Sequence, residues 1–325
     1  MAFSNTYNTT SPGSAASNRE DLAKWFSMLA PEKTPFLSAL SKGKATAMNH
    51  EWTVDSLSLP DTTAVIEGED VNAFSDKFAD VSRLGNYIQK LRRTWKVSDL
   101  QDLVASAGPQ DAARAKGKSV MELKRDVETV LLSTQDKTAG AAGVASAMRG
   151  LGDWIDSAGP SDVPSTYRTP AASIHSSGAL TEALFDGILT SMFRTSGDTQ
   201  NVSLLADTSL RAVITNFANT GGTEGDYRNV NQNADGHLKN TVGIYEGDYG
   251  RMDIVNMNPV TAPDTSGKQY GYVCNHDFLG LAELKTLGSE TLENQGGGKR
   301  GFVDWAGTLV VKNPGALGKI TDITA

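Results

Sequence analysis

Cysteine and histidine are scarce in this chain: Cys274 is the single cysteine among 325 residues, and there are four histidines. One cysteine excludes an intramolecular disulfide framework and any cysteine-rich zinc site. His50, His175, His237 and His276 lie far apart and form no His-Glu-x-x-His spacing, so each reads as structural or solvated. No apolar run approaches the ~20 residues of a membrane span. Residues 1–18, rich in Ser, Thr and Asn, lack the basic-then-apolar order of a secretion signal. There is no Gly-x-Ser-x-Gly elbow. Gly298-Lys299 fails as a phosphate loop, because Glu293 replaces the first glycine and Arg300 the hydroxyl residue. Asn231-x-Asn233-x-Asp235-Gly236 starts like a calcium loop, yet Val242 stands where the bidentate glutamate belongs. No catalytic residue, cofactor or metal site is visible. The expectation is a soluble, non-enzymatic protein of a reducing compartment, with no membrane partner.

What is present is charge, unevenly placed. The net charge of −8 argues against generic nucleic-acid binding. Residues 46–85 carry a net −6 and residues 86–125 a net +5. Adjacent blocks of opposite sign read as surfaces that meet, within one subunit or between copies. The acidic block centres on Glu67, Glu69 and Asp70; the basic one begins with Lys90, Arg92, Arg93 and Lys96. Interleaved with Tyr87 and Trp95, those four cations also suit phosphate, but the acidic neighbour favours protein contact.

The apolar pattern adds an architecture. With 39% hydrophobic residues and 32 glycines, the chain is globular but loop-rich. Leu22, Trp25, Phe26 and Leu29 share one face of a short helix ended by Pro31, either a docking arm or a peripheral core helix. Thr34-Pro35 opens a second short turn with Phe36, Leu37 and Leu40. Residues 48–59 alternate as a strand, with His50, Trp52 and Val54 on one face, and residues 86–97 read as its partner. The long stretch between them shows no helix, and such loops are functional or folded on a partner. From about Gln110 to Gln135 runs the strongest helix, its stripe formed by Val120, Leu123, Val127, Val130 and Leu131. Lys116, Lys118, Glu122, Lys124, Arg125 and Glu128 make its charged face. Residues 138–178 are a connection anchored by Trp154 and Ile155. Helices then fall over 179–194 (Leu180, Leu184, Ile188, Met192) and after Asp207 (Leu210, Val213, Ile214, Phe217). Strands fall at Val202–Leu205, Tyr270–Asn275, Trp305–Val311 and Ile320–Ile323, with a hairpin over 241–256 and a short helix from Asp277. The fold class is α+β, without βαβ alternation.

A floppy arm, a long β-ribbon, a spine helix, an α/β lobe and a returning strand, in that order, resemble the major capsid protein of tailed bacteriophages with the HK97-like fold. Thr34-Pro35-Phe36, Asn49-His50-Glu51-Trp52, Glu67-Gly68 with Asp70, Glu122-Leu123-Lys124-Arg125-Asp126, Tyr245–Gly250 and Leu309-Val310-Val311-Lys312-Asn313-Pro314 are similar to one branch of that family. The resemblance implies an N-terminal arm (1–45), an extended loop across a neighbouring subunit (46–97), a peripheral domain (98–175 and 300–325) and an axial domain (176–299). It further implies hexamers and pentamers closing an icosahedral shell around double-stranded DNA, in a virion assembled in the host cytoplasm. Portal, scaffolding or decoration proteins would be partners, DNA contact would be non-specific, and scaffolding would come from another protein, since no length remains for it here. Other readings stay open: an encapsulin-like compartment subunit, a ligand-binding or enzymatic protein with its site in 176–299, and a tail or decoration protein.

Overall fold

The computed structural model describes residues 33–103, 111–197, 200–219, 243–247, 249–262 and 269–323. The chain opens with α1 (Pro35–Ala39), β1 (Ser41–Lys44), β2 (Asn49–Val54), β3 (Ser82–Tyr87) and β4 (Gln89–Val97). Next come α2 (Asp99–Leu103), α3 (Asp111–Leu132), α4 (Leu151–Trp154), β5 (Ile174–His175), α5 (Glu182–Ser196) and β6 (Val202–Ala206). α6 (Thr208–Asn219), β7 (Ile244–Gly247), β8 (Gly250–Asn256) and β9 (Gln269–Asn275) follow, and β10 (Leu279–Leu292), β11 (Lys299–Val311) and β12 (Gly318–Ile323) complete the chain. Three sheets result, ordered β1-β10-β11-β4, β5-β12-β9-β6-β8-β7 and β2-β3.

The spine helix expected from the apolar stripe is α3. Leu123, Val127 and Leu131 are buried, and Val120 and Val130 pack against the same core. On its far side the four-stranded sheet contributes Leu281, Val303, Trp305 and Leu309. Strand β9 joins this core to the six-stranded sheet by alternation: Tyr270, Tyr272 and Cys274 face α3, while Val273 faces α5 and α6. The Tyr272 hydroxyl donates to the Leu132 carbonyl at 2.8 Å, tying that sheet to the end of the spine.

Several expectations need correcting. The partner of β2 is β3, with Trp52 opposite Leu84, whereas 89–97 leaves the ribbon and pairs with β11, Arg92 opposite Asp304. Ile88 makes the switch: its N–H donates to the Met48 carbonyl and its side chain is buried with Ala282 and Ala306. Glu128 does not lie on a solvated face. It is fully buried, accepting from the Leu37 N–H at 3.2 Å and the Thr261 hydroxyl at 3.0 Å. Burial raises its carboxyl above the ordinary range, although those hydrogen bonds oppose the shift. In α5, Leu184 is exposed, and Phe185 and Leu189 join Ile188 and Met192 inside. Thr181 caps that helix by accepting from the Leu184 N–H.

After one 3₁₀ turn at His276–Phe278 the chain enters the fourteen-residue β10, where only a short helix was expected, and β11 starts at Lys299 rather than at Trp305. Register shifts between Glu283 and Gly288 blur the alternation of β10. The boundary expected at 299/300 meets this β10–β11 hairpin, and β12 returns to the six-stranded sheet beside β9. The candidate arm helix (Leu22 to Leu29) and the calcium-like loop from Asn231 lie outside the described residues.

Candidate assembly surface

Residues 55–81, between β2 and β3, contain neither helix nor strand. Leu57, Leu59, Val65, Ile66, Val71, Phe74 and Phe78 are all exposed there, Leu57 by 98% and Phe74 by 89%. A row of large apolar side chains in water is the mark of an interaction surface rather than of a finished fold. Local hydrogen bonds shape the loop: Asp61 accepts from the Thr63 N–H, and Glu69 from the Ile66 N–H. Gly68 takes the left-handed conformation, φ 83°, at a turn that presents Glu67, Glu69 and Asp70 to solvent. The returning limb is tethered where the Tyr167 hydroxyl donates to the Asp80 carbonyl at 2.6 Å.

The base of the ribbon is anchored much more firmly. Asn86, fully buried, donates to the carbonyls of Arg149 and Leu309 and accepts from the Arg149 N–H at 2.7 Å. The Arg149 guanidinium, 1% exposed, reaches Asp136 and Asp162 at 2.7 Å and Asp153 at 2.9 Å, and lies over the Trp154 ring. Trp154 meets Trp52 of β2 at 5.8 Å between ring centroids. Lys137 bridges Asp162 at 2.6 Å and donates to the Gly85 carbonyl. Burial alone would lift Asp162, but bonds from Arg149 and Lys137 outweigh it and hold the carboxyl below its ordinary value. Burial wins at Asp153, which is raised despite the attraction of Arg149. Sequence reasoning missed this knot: Arg149 sits in an Ala/Gly-rich connection with no periodicity to mark it.

Lys90 and Arg92 flank Asp304 at 3.3 and 3.8 Å, and Lys285 reaches the same carboxylate at 2.7 Å. Asp304 is almost fully buried; burial pushes it up, but Lys285 and Lys90 hold it below its ordinary value. Arg93 forms a two-pronged pair with Asp126 of α3, one arm at 2.7 Å. Lys96 remains exposed at the end of the strand. Among the described residues no ion pair joins Glu67, Glu69 or Asp70 to this quartet. Nor, among them, do three or more His, Cys, Asp or Glu side chains gather as a metal site, and no helix is long and apolar enough to cross a membrane.

The sequence profile of the SU10 major capsid protein matches residues 3–324. The chain belongs to that family. This SU10-type major capsid chain is 32% identical over 118 residues to the major capsid protein of Escherichia phage Phieco32, a match spanning 36% of the chain and about a third (33%) of that relative. Solved structures share its HK97-like fold across nearly its whole length. The capsid of a native GTA particle aligns with a TM-score of 0.65 at 12% identity, covering 98% of this chain and 99% of that one. The capsid protein of cyanophage P-SCSP1u gives 0.61 at 13%, covering 98% and 97%. The SrpI encapsulin of Synechococcus elongatus PCC 7942 gives 0.58 at 10%, covering 96% and 94%.

Proposed function

We propose that the chain assembles as hexamers and pentamers into the icosahedral head shell of a tailed bacteriophage, around double-stranded DNA. The observation that carries this reading is the 55–81 loop, whose exposed leucines, valines and phenylalanines need a neighbouring subunit to cover them. In this reading the ribbon and loop are the extended loop, and α3 with the four-stranded sheet is the peripheral domain. The six-stranded sheet with α5 and α6 is the axial domain at the capsomer centre, and the arm expected over 1–45 is confined to residues ahead of β1, since β1 pairs with β10 in the four-stranded sheet. Glu67, Glu69, Asp70, Lys90, Arg92, Arg93 and Lys96 act at subunit contacts, Lys90, Arg92 and Arg93 partly by holding β4 to β11 and α3. Portal, scaffolding or decoration proteins complete the particle in the host cytoplasm. A net charge of −8 suits a container that lets DNA pack and leave, because a strongly basic lining would hold it by counterion release.

An encapsulin-like compartment shares the fold, but the family match favours the phage shell. Negative-stain electron microscopy with size-exclusion light scattering on the purified protein tests the reading. Closed particles or capsomer-sized rings support it. A monomer or dimer that persists when the neighbouring scaffold gene is co-expressed overturns it.

A further inference from the structure

We propose that the acidic turn Glu67–Asp70 of one subunit docks in a basic groove of a neighbouring copy, formed by Lys96, Arg114 and Lys118. The inference rests on the shell reading and specifies one of its contacts. The groove holds about 450 Å³ between the end of β4, α2 and the first turns of α3. Among the described residues its lining carries three cations and a single carboxylate, Asp111. That carboxylate is nine-tenths buried and already engaged, by the Gln101 amide at 2.9 Å and by Arg114 at 3.5 Å. Lys118 reaches Glu122 only at 3.9 Å, and Lys96 is exposed on the rim. Lys90, Arg92 and Arg93 are committed to Asp304 and Asp126, whereas the carboxylate beside Arg114 is the buried Asp111, so the groove mouth itself carries the side chains of Lys96, Arg114 and Lys118.

Apolar surface accompanies the charge on both sides of the contact. Leu100 and Leu103 of α2, 76% and 82% exposed, stand beside the groove, and Val97 and Ala115 line it. On the loop, Val65, Ile66 and Val71 flank the acidic turn and are exposed. An acidic peptide bordered by aliphatic side chains matches both features, whereas a phosphate backbone would leave the two leucines uncovered. Each limb of the loop is about 13 residues, or roughly 40 Å when extended, so the acidic turn can stand well away from the base of its own ribbon. Charge complementarity of this kind sets register and excludes wrong docking more than it adds raw affinity.

A charge swap in the full-length protein tests the contact. K96E/R114E/K118E and, separately, E67K/E69K/D70K should each lower the yield of closed particles at least tenfold, and combining them should restore it to within about threefold of wild type. Far-ultraviolet circular dichroism and a thermal melt check that each variant folds. As a second route, Glu69→Cys with Lys118→Cys should give an oxidised ladder of up to six subunits on a non-reducing gel; buried Cys274 does not interfere. If the combined six-residue swap fails to restore closed particles, or no ladder forms in wild-type-like particles, the docking is overturned while the shell reading stands. Normal shells from K96E/R114E/K118E that no longer retain DNA would place nucleic acid at the groove and overturn it equally. If the wild-type protein forms no capsomer or shell, the shell reading falls and takes the contact with it.

Discussion

Arg149→Met removes the cation at the centre of the ribbon anchor while keeping an apolar stem against Trp154. Breaking a buried ion pair from one side costs about 3–5 kcal/mol, because the remaining charges are left uncompensated. Here Asp136 and Asp162 are partly exposed, so water reaches them and the low end, about 3 kcal/mol, applies. At about 2 °C per kcal/mol for a chain of this size, the melting point should fall by roughly 6 °C. Urea unfolding followed by tryptophan fluorescence is a suitable assay, since Trp52 and Trp154 report on the site, and the midpoint should drop without a change in slope. The deficit has a pH signature. Asp162 sits below its ordinary value in the fold, so its contribution is present above the unfolded pKa and is lost as pH falls through the folded one. The difference between wild type and variant should therefore shrink as pH falls below about 4, through the ordinary carboxylate value and then the lower folded one. Adding Asp162→Asn should recover part of the loss. A destabilisation below about 1 kcal/mol, or a gap independent of pH, would refute the idea that this knot holds the ribbon.

Deleting residues 60–80 should leave a folded, soluble protein with an unchanged circular dichroism spectrum, because the loop holds no strand or helix, yet abolish closed particles in electron micrographs. Gly301→Ala should cost about 2–3 kcal/mol, since an added methyl would collide with the Glu290 carbonyl of β10 on one side and the Trp95 ring of β4 on the other; chemical denaturation of the variant reads this directly. Cys274 is buried and its thiol is pushed well above the ordinary range by burial, so Ellman's reagent should react with it only on unfolding.

How much was legible in the sequence followed from how local each signal is. The stripe of α3 and the alternation of β2 repeat within one element, and both elements form, though the strand expected over 48–59 ends at Val54, beyond which Leu57 and Leu59 are exposed to solvent. The cap and apolar rows of α6 and the 241–256 hairpin are equally local. The partner of β2 is not a local property: residues 86–97 read as its partner strand, and the clasp of Asn86 by Arg149, 63 residues away, together with the burial of Ile88 beside Ala282 and Ala306, divides that stretch between two sheets. Strand β10 was hidden because bulges break its period and because Lys285, Glu290 and Asp304 solve one another's charge across the ladder. Glu128 looked solvated because nothing nearby in sequence announces that Leu37 and Thr261 close over it. At the candidate surface, the acidic turn was readable as a charge run. Arg114 and Lys118 joined Lys96 only once α3 was packed beside β4.

The two large sheets are stitched together twice within 50 residues, at His276–Phe278 and again at Lys312–Leu317, and the stitches are themselves bonded where the Lys312 N–H meets the Phe278 carbonyl at 2.9 Å. One continuous core runs under both. In the shell proposed above, whose identical subunits would sit around both five-fold and six-fold axes, such a body would act as a stiff tile. The difference in curvature between the two settings would then fall on the unpaired 55–81 loop, the mortar between tiles, and not on its anchored ribbon.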